Sequence, residues 1–303
     1  MNSLLTLTSR NLKQYFRDKG AVFFSLLSMF IVIVLMFFFM GDSNTDGIME
    51  ILNHYPDRDP VQDQKNADLL ILTWTCAGMV SINAVTVTLS SLSYMIKDRE
   101  NGKLSSIYTT PVSRLVIALS NVLAAWISSV IICTATLMVS ELYAVSQGLT
   151  PFSFCAHLRM LGYIAANSFT YATLMFLAAS LVKSSGAWGG IGTIIGTLVG
   201  FLGGIYLSIG EASASIAAII KSTPVIYGTA LFRGEMTASI AQTTFSGLPS
   251  EVLTGFNRAV GTELTIGNHV LSAPEELAVL LVCGAVFLLG GALVVRFSKK
   301  SDR

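Results

Sequence analysis

Ten consecutive residues, Ile31 to Met40, carry no polar side chain. They close an apolar stretch, Ala21–Met40, of the about 20 residues that a helix needs to cross a hydrocarbon core. Comparable stretches recur at Leu69–Ile96, Leu115–Ser140, Leu158–Val182, Ala187–Ile209 and Leu277–Phe297, which makes six expected spans. Charged residues are 12 % of the chain, against about a quarter in soluble domains, too few to cover a water-facing surface. That excludes a soluble enzyme, a nucleic-acid binder and a disordered scaffold. The expected fold class is an all-α membrane protein, one transmembrane domain over residues 1–303 with six transmembrane helices.

An even number of spans returns both termini to one side, and the basic residues choose which. The N-terminus, the loop after span two, the turn after span four and the C-terminus together hold thirteen Lys and Arg but four acids. The remainder holds six basic and fourteen acidic residues. Both termini are therefore expected in the cytoplasm. Residues 1–20 precede the first span without a small-x-small cleavage site, so no cleavable signal peptide is read there. Within them Leu5, Leu12, Tyr15 and Phe16 share one helical face and Arg10, Lys13 and Arg17 another, as in an amphipathic helix lying in the membrane interface.

Two segments fall outside. Residues 41–68 are rich in Asp and lack a D-x-D-x-D-G pattern, which reads as a solvated acidic loop. Residues 210–276 are mildly apolar, and Ala212–Lys221 reads as a short helix re-entering the outer leaflet before Pro224. The four cysteines show no paired spacing, so no zinc site or disulfide framework is read. His54, His157 and His269 are isolated. Neither a G-x-S-x-G elbow nor a G-x-x-x-x-G-K-[ST] phosphate loop is present. Catalysis and ATP binding through a phosphate loop are thus absent from the chain's own motifs. Ionisable residues sit at span ends, which argues against an ion-coupled carrier and a charged selectivity filter.

Three features remain. In span five Gly192, Gly196, Gly200 and Gly204 recur every four residues and cut one groove along a helix. That groove serves either a subunit interface or packing inside one subunit. In span two Thr75, Asn83, Thr86, Ser90 and Ser93 share a face, for helix–helix hydrogen bonds or for a wet translocation surface. The loop over residues 97–114 carries Lys97-Asp98-Arg99-Glu100, then Gly102 as a helix stop. After it Leu104, Ile107 and Tyr108 give one apolar face to a short surface helix. Thr110-Pro111 then supplies an N-cap and first-turn proline for span three. An exposed apolar face in a charged cytoplasmic loop calls for a soluble partner.

On Glu100, Gly102, Leu104 and Thr110-Pro111-Val112-Ser113-Arg114, the chain resembles the type-2 permeases of ATP-binding-cassette exporters. Pro224, Tyr227 and Arg233 are similar to that family's P-x-x-Y segment after span five. Ser105 and Ser106 follow Leu104, where the family often has an acid. The resemblance implies an export permease for amphipathic drugs, peptides or lipids, driven by a separate ABC ATPase subunit. ATP and magnesium would be held by that subunit, with no cofactor in this chain. It further implies a dimer, a second copy of the chain more readily than a sister chain, enclosed in membrane lipid. Asp98, Arg99, Glu100, Gly102, Leu104, Ile107, Tyr108, Thr110 and Pro111 would couple to the ATPase, with Arg10, Lys13 and Arg17 nearby. Thr75, Asn83, Thr86, Ser90 and Ser93 would line the pathway, and Pro224, Tyr227 and Arg233 an external gate. No N-x-[ST] acceptor occurs, and the expected location is a bacterial plasma membrane. The rival readings are an immunity or sensor protein that binds a toxin or peptide without moving it, and an ATP-independent secondary transporter.

Overall fold

A computed structural model of the chain describes residues 2–35, 41–56, 58–103, 112–206, 208–210 and 212–297. These form helices α1 (Asn2–Arg17), α2 (Lys19–Leu35), α3 (Gly41–Leu52), α4 (Pro60–Glu100), α5 (Arg114–Ser146), α6 (Phe154–Leu181), α7 (Ser185–Leu202), α8 (Ala214–Lys221), α9 (Pro224–Thr244) and α10 (Ser250–Ala259). A hairpin of β1 (Thr265–Ile266) and β2 (His269–Val270) precedes the last helix, α11 (Ala273–Phe297). Helices α4, α5, α6, α7 and α11 are each long and apolar enough to cross a membrane. A sixth crossing results if α8 and α9, bent by 86° at their break, count as one. Helix α2, 17 residues long, overlaps the first expected span from Ala21 to Leu35, and residues 36–40 lie outside the described ones.

At 41 residues, α4 is about 60 Å long, roughly twice the thickness of a hydrocarbon core. It is also the most buried of the long helices, with α3, α5, α6, α7 and α9 around it. Small residues at Ala77, Gly78, Ser81 and Ala84 let those neighbours approach closely. The main core gathers Val80, Leu92, Leu137, Met160, Tyr171, Phe176 and Phe232 about this axis. Helices α7 and α11 instead turn Ile194, Leu198, Phe201, Val286, Leu289 and Leu293 outward. So much outward apolar surface is stable in lipid and a liability in water.

The acidic segment 41–68 is not the solvated loop its composition suggests. Helix α3 occupies its first half, with Ile48 and Leu52 buried in a second core beside Leu69, Leu70 and Phe256. Helix α4 then starts well before the apolar run. Pro60 takes a first-turn position, and the Asp59 side chain accepts from the Val61 and Gln62 backbone N–H groups at 3.0 and 3.4 Å. Asp63 is buried and paired with Arg58 at 2.6 Å. Arg58 also donates to the Thr244 carbonyl at 2.7 Å, which ties this end of α4 to α9. The Asp63 bond raises the Arg58 pKa above its ordinary value.

The two ends of the bundle differ. Arg10 of α1 pairs with Asp98 of α4. A groove of ≈ 730 Å³ is lined by Ser113–Leu115 beside Leu289, Leu293 and Arg296. Helix α1, the end of α4, the start of α5 and the last turns of α11 therefore share one end. Helices α3, α8 and α10 and the hairpin lie toward the other. Within 210–276 the short helix α8 falls inside the expected Ala212–Lys221, but α9 is not a surface segment. It is buried on nearly all sides against α4, α6 and α11.

Candidate functional site

Successive residues of an α-helix point about 100° apart, so a run of charged residues at a helix end reaches in several directions. At the end of α4 each charge meets a different element. The buried Asp98 carboxylate accepts from Arg10 of α1. The next residue of α1, Asn11, donates to Asn121 Oδ1 of α5 at 3.1 Å. Arg99 donates to the Val182 carbonyl just past α6 at 2.7 Å and to the Ala179 carbonyl at 3.3 Å, which also accepts from the Val182 N–H, a cation placed at a helix C-terminus. Glu100 accepts from the Ser185 backbone N–H at 3.2 Å and from the Ser185 hydroxyl, where a carboxylate complements the start of α7. Lys97 lies 5.2 Å over the Tyr94 ring, and Tyr94 donates to Asp18 Oδ2 at 2.7 Å. That bond, chiefly, holds the Asp18 carboxyl below the usual carboxylate range. Asp18 also caps α2 by accepting from the Ala21 N–H at 3.0 Å.

Asp98 and Arg99 are thus engaged inside the chain, while Lys97 and Glu100 keep exposed positions. Arg10 leaves the exposed cationic face expected of α1, while Lys13 and Arg17 stay exposed. The apolar face divides as well: Tyr15 is fully buried and bonds Ser25, whereas Leu5 and Phe16 are exposed. Gly102 stops α4 as expected, at φ +69°, a conformation glycine adopts without strain. Leu104, Ile107, Tyr108, Thr110 and Pro111 lie outside the described residues. The cap of span three is not Thr110: α5 starts at Arg114, and Ser113 accepts from the Val116 N–H at 3.3 Å.

The polar stripe of span two splits. Thr75 and Asn83 are buried, and Asn83 donates to Thr136 Oγ1 of α5 at 2.8 Å. Thr86, Ser90 and Ser93 are half-buried, with the Thr86 and Ser93 hydroxyls donating to carbonyls of their own helix. The glycine groove splits too. A side chain at Gly192 would meet Leu89 at 3.1 Å and one at Gly200 would collide with the Tyr206 ring, but at Gly196 nothing lies within 4 Å. Gly204 ends the row at φ +66° with its carbonyl bonded to Arg233. One face of α7, with Gly189, Thr193, Gly196 and Thr197, is open.

At the other end, Pro224 opens α9 and Tyr227 donates back to the Lys221 carbonyl at 2.8 Å, bridging the bend from α8. Arg233 is fully buried. Its guanidinium lies 3.9 Å over the Trp74 ring and donates to the Gly204 and Val260 carbonyls at 2.9 and 3.1 Å. It joins α9 to α4, to the end of α7 and to the end of α10, and among the described residues no carboxylate pairs with it. Sequence reasoning missed that α9 is a buried helix, although Thr223-Pro224 repeats the cap-and-proline signal read at Thr110-Pro111. Asn11 and Asn121 gave no signal at all. Among the described residues, no three His, Cys, Asp or Glu side chains converge as metal ligands. The family model described as ABC-2 type transporter matches residues 2–237, from α1 into α9. No curated protein matches the chain.

Proposed function

The chain belongs to the ABC-2 type transporter family, and from that premise we propose that it is the transmembrane subunit of an ATP-driven exporter of amphipathic molecules. The family is a transport component rather than a catalyst, and its permeases normally pair with an ABC ATPase subunit. In this reading that subunit carries ATP and magnesium and docks on the cytoplasmic loop 97–114. Both termini are cytoplasmic, in a bacterial plasma membrane, and a second copy of the chain faces α4 and α7 across the pathway.

The observation that carries the reading is the end of α4. Asp98, Arg99 and Glu100 engage α1, α6 and α7 respectively, so a force on the adjoining loop is shared among three elements. A continuous helix of 41 residues then delivers it to Trp74 and Asp63, where Arg233 and Arg58 hold the opposite end. ATP-driven closure of the partner biases such a two-state element by differential contact with the loop. The half-buried Thr86, Ser90 and Ser93 are the stripe residues left to line a pathway, while Asn83 serves packing. Tyr227 and Arg233 brace the external gate rather than open into it.

Purification of the tagged chain from native membranes in mild detergent tests this. The expected result is co-purification of an ATPase subunit at one per permease, with ATP hydrolysis in the eluate, and loss of both on deleting residues 104–109. A chain that purifies without any ATPase returns the case to a sensor or a secondary transporter.

A further inference from the structure

We propose that the cavity between α6, α9, α10 and the start of α11 binds a small organic cation, with Glu276 as its counter-ion. The proposal goes beyond the exporter reading and stands without it. The cavity measures ≈ 330 Å³, at the lower end of the roughly 300–1,000 Å³ typical of small-molecule sites. Three carboxylates reach it, from Glu235, Glu263 and Glu276. Two of them are already matched. Glu235 takes both Nε and Nη2 of Arg159, at 2.8 and 2.6 Å. Glu263 accepts from Asn257 at 3.2 Å and lies 3.8 Å from Arg258.

Glu276 is different. It is 4 % exposed, and among the described residues none donates to its carboxyl. Its neighbour Glu275, by contrast, accepts from His269 and twice from Ser272. A buried carboxylate without a donor or a cation is costly, so this one is completed by what enters the cavity. The walls say what kind of cation fits. The carboxylates do not converge on a point as metal ligands would. The ring of Tyr163 and the side chains of Leu231 and Leu271 surround the remaining space. One anionic side chain, one aromatic ring and an apolar lining suit a substituted ammonium group, held by charge and by ring–cation contact.

The test is equilibrium dialysis of the detergent-purified full chain against choline and methylammonium, with 3,3-dimethylbutan-1-ol as the neutral match to choline. The expected result is saturable binding of a cation at one site per chain, with the alcohol at least tenfold weaker. Glu276→Gln should weaken cation binding at least tenfold. Gly234→Leu should abolish it by filling the cavity, since an added Cβ there meets nothing within 4 Å. Elution volume and helix content report the fold of each variant. Should Glu276→Gln aggregate, Gly234→Leu decides alone. The proposal is overturned if neither cation saturates, if the alcohol binds equally, or if a folded variant binds like the parent.

Discussion

Arg10 and Asp98 lie 88 residues apart in the chain, and each drew notice in the sequence for a different task. One belonged to a cationic surface helix and the other to a partner-docking cluster. Nothing local in the sequence pairs them, because their contact depends on how α1 lies across α4. Asp98 is buried and Arg10 only partly so, which puts the pair at about 1 kcal/mol. Reversing either charge alone removes that and sets like charges together. Arg10→Asp or Asp98→Arg should therefore speed tryptic cleavage at Arg17 by about fivefold or more, the factor that 1 kcal/mol gives. The double exchange should return the rate to within about twofold of the parent. Equal rates in all four proteins would mean that the pair does not hold α1 in place.

Among the elements, the apolar runs were legible because burial in lipid leaves a continuous mark in the sequence. The ends of those runs were not. Span two reads as Leu69–Ile96, yet α4 runs from Pro60 to Glu100. Its outer turns carry Asp63 and Asn66, polar side chains paired locally with Arg58 and Gln62, and hydropathy cannot see that they are buried. Helix α9 escaped for the same reason. Thr229, Arg233, Thr237 and Thr244 are all buried and lie within about 80° of one another around it, so one buried face is polar and hydropathy does not mark it. Helix α7 shows the opposite case, where a pattern was plain and its meaning was divided. Of its spaced glycines, Gly192 and Gly200 face Leu89 and Tyr206 of the same chain, while Gly196 faces open space. Gly196→Leu should thus lower the cross-linked dimer fraction at least tenfold and leave the melting temperature of the monomer unchanged. Gly200→Leu is the poorer probe, since it must first displace the Tyr206 ring. An unchanged dimer fraction in Gly196→Leu would place lipid, not a second copy, against that face.

Across the whole molecule, the uneven distribution of basic residues set the expectation that both termini lie in the cytoplasm. The structure gathers α1, the end of α4, the start of α5 and the last turns of α11 at one end. What the sequence left hidden is how firmly the two ends are joined. One helix about 60 Å long is pinned at Asp98, Arg99 and Glu100 to three elements, and near its other end stacks Trp74 under a buried arginine. The central claim is that an ATPase acts on this helix through the adjoining loop. A photo-reactive amino acid at Ile107, activated in intact native membranes, tests that contact most directly. The account predicts a covalent adduct with an ABC ATPase subunit, identified by mass spectrometry, and none from the same group at Gly247 near the opposite end. Adducts with lipid alone, or with a protein that is not an ATPase, would contradict it.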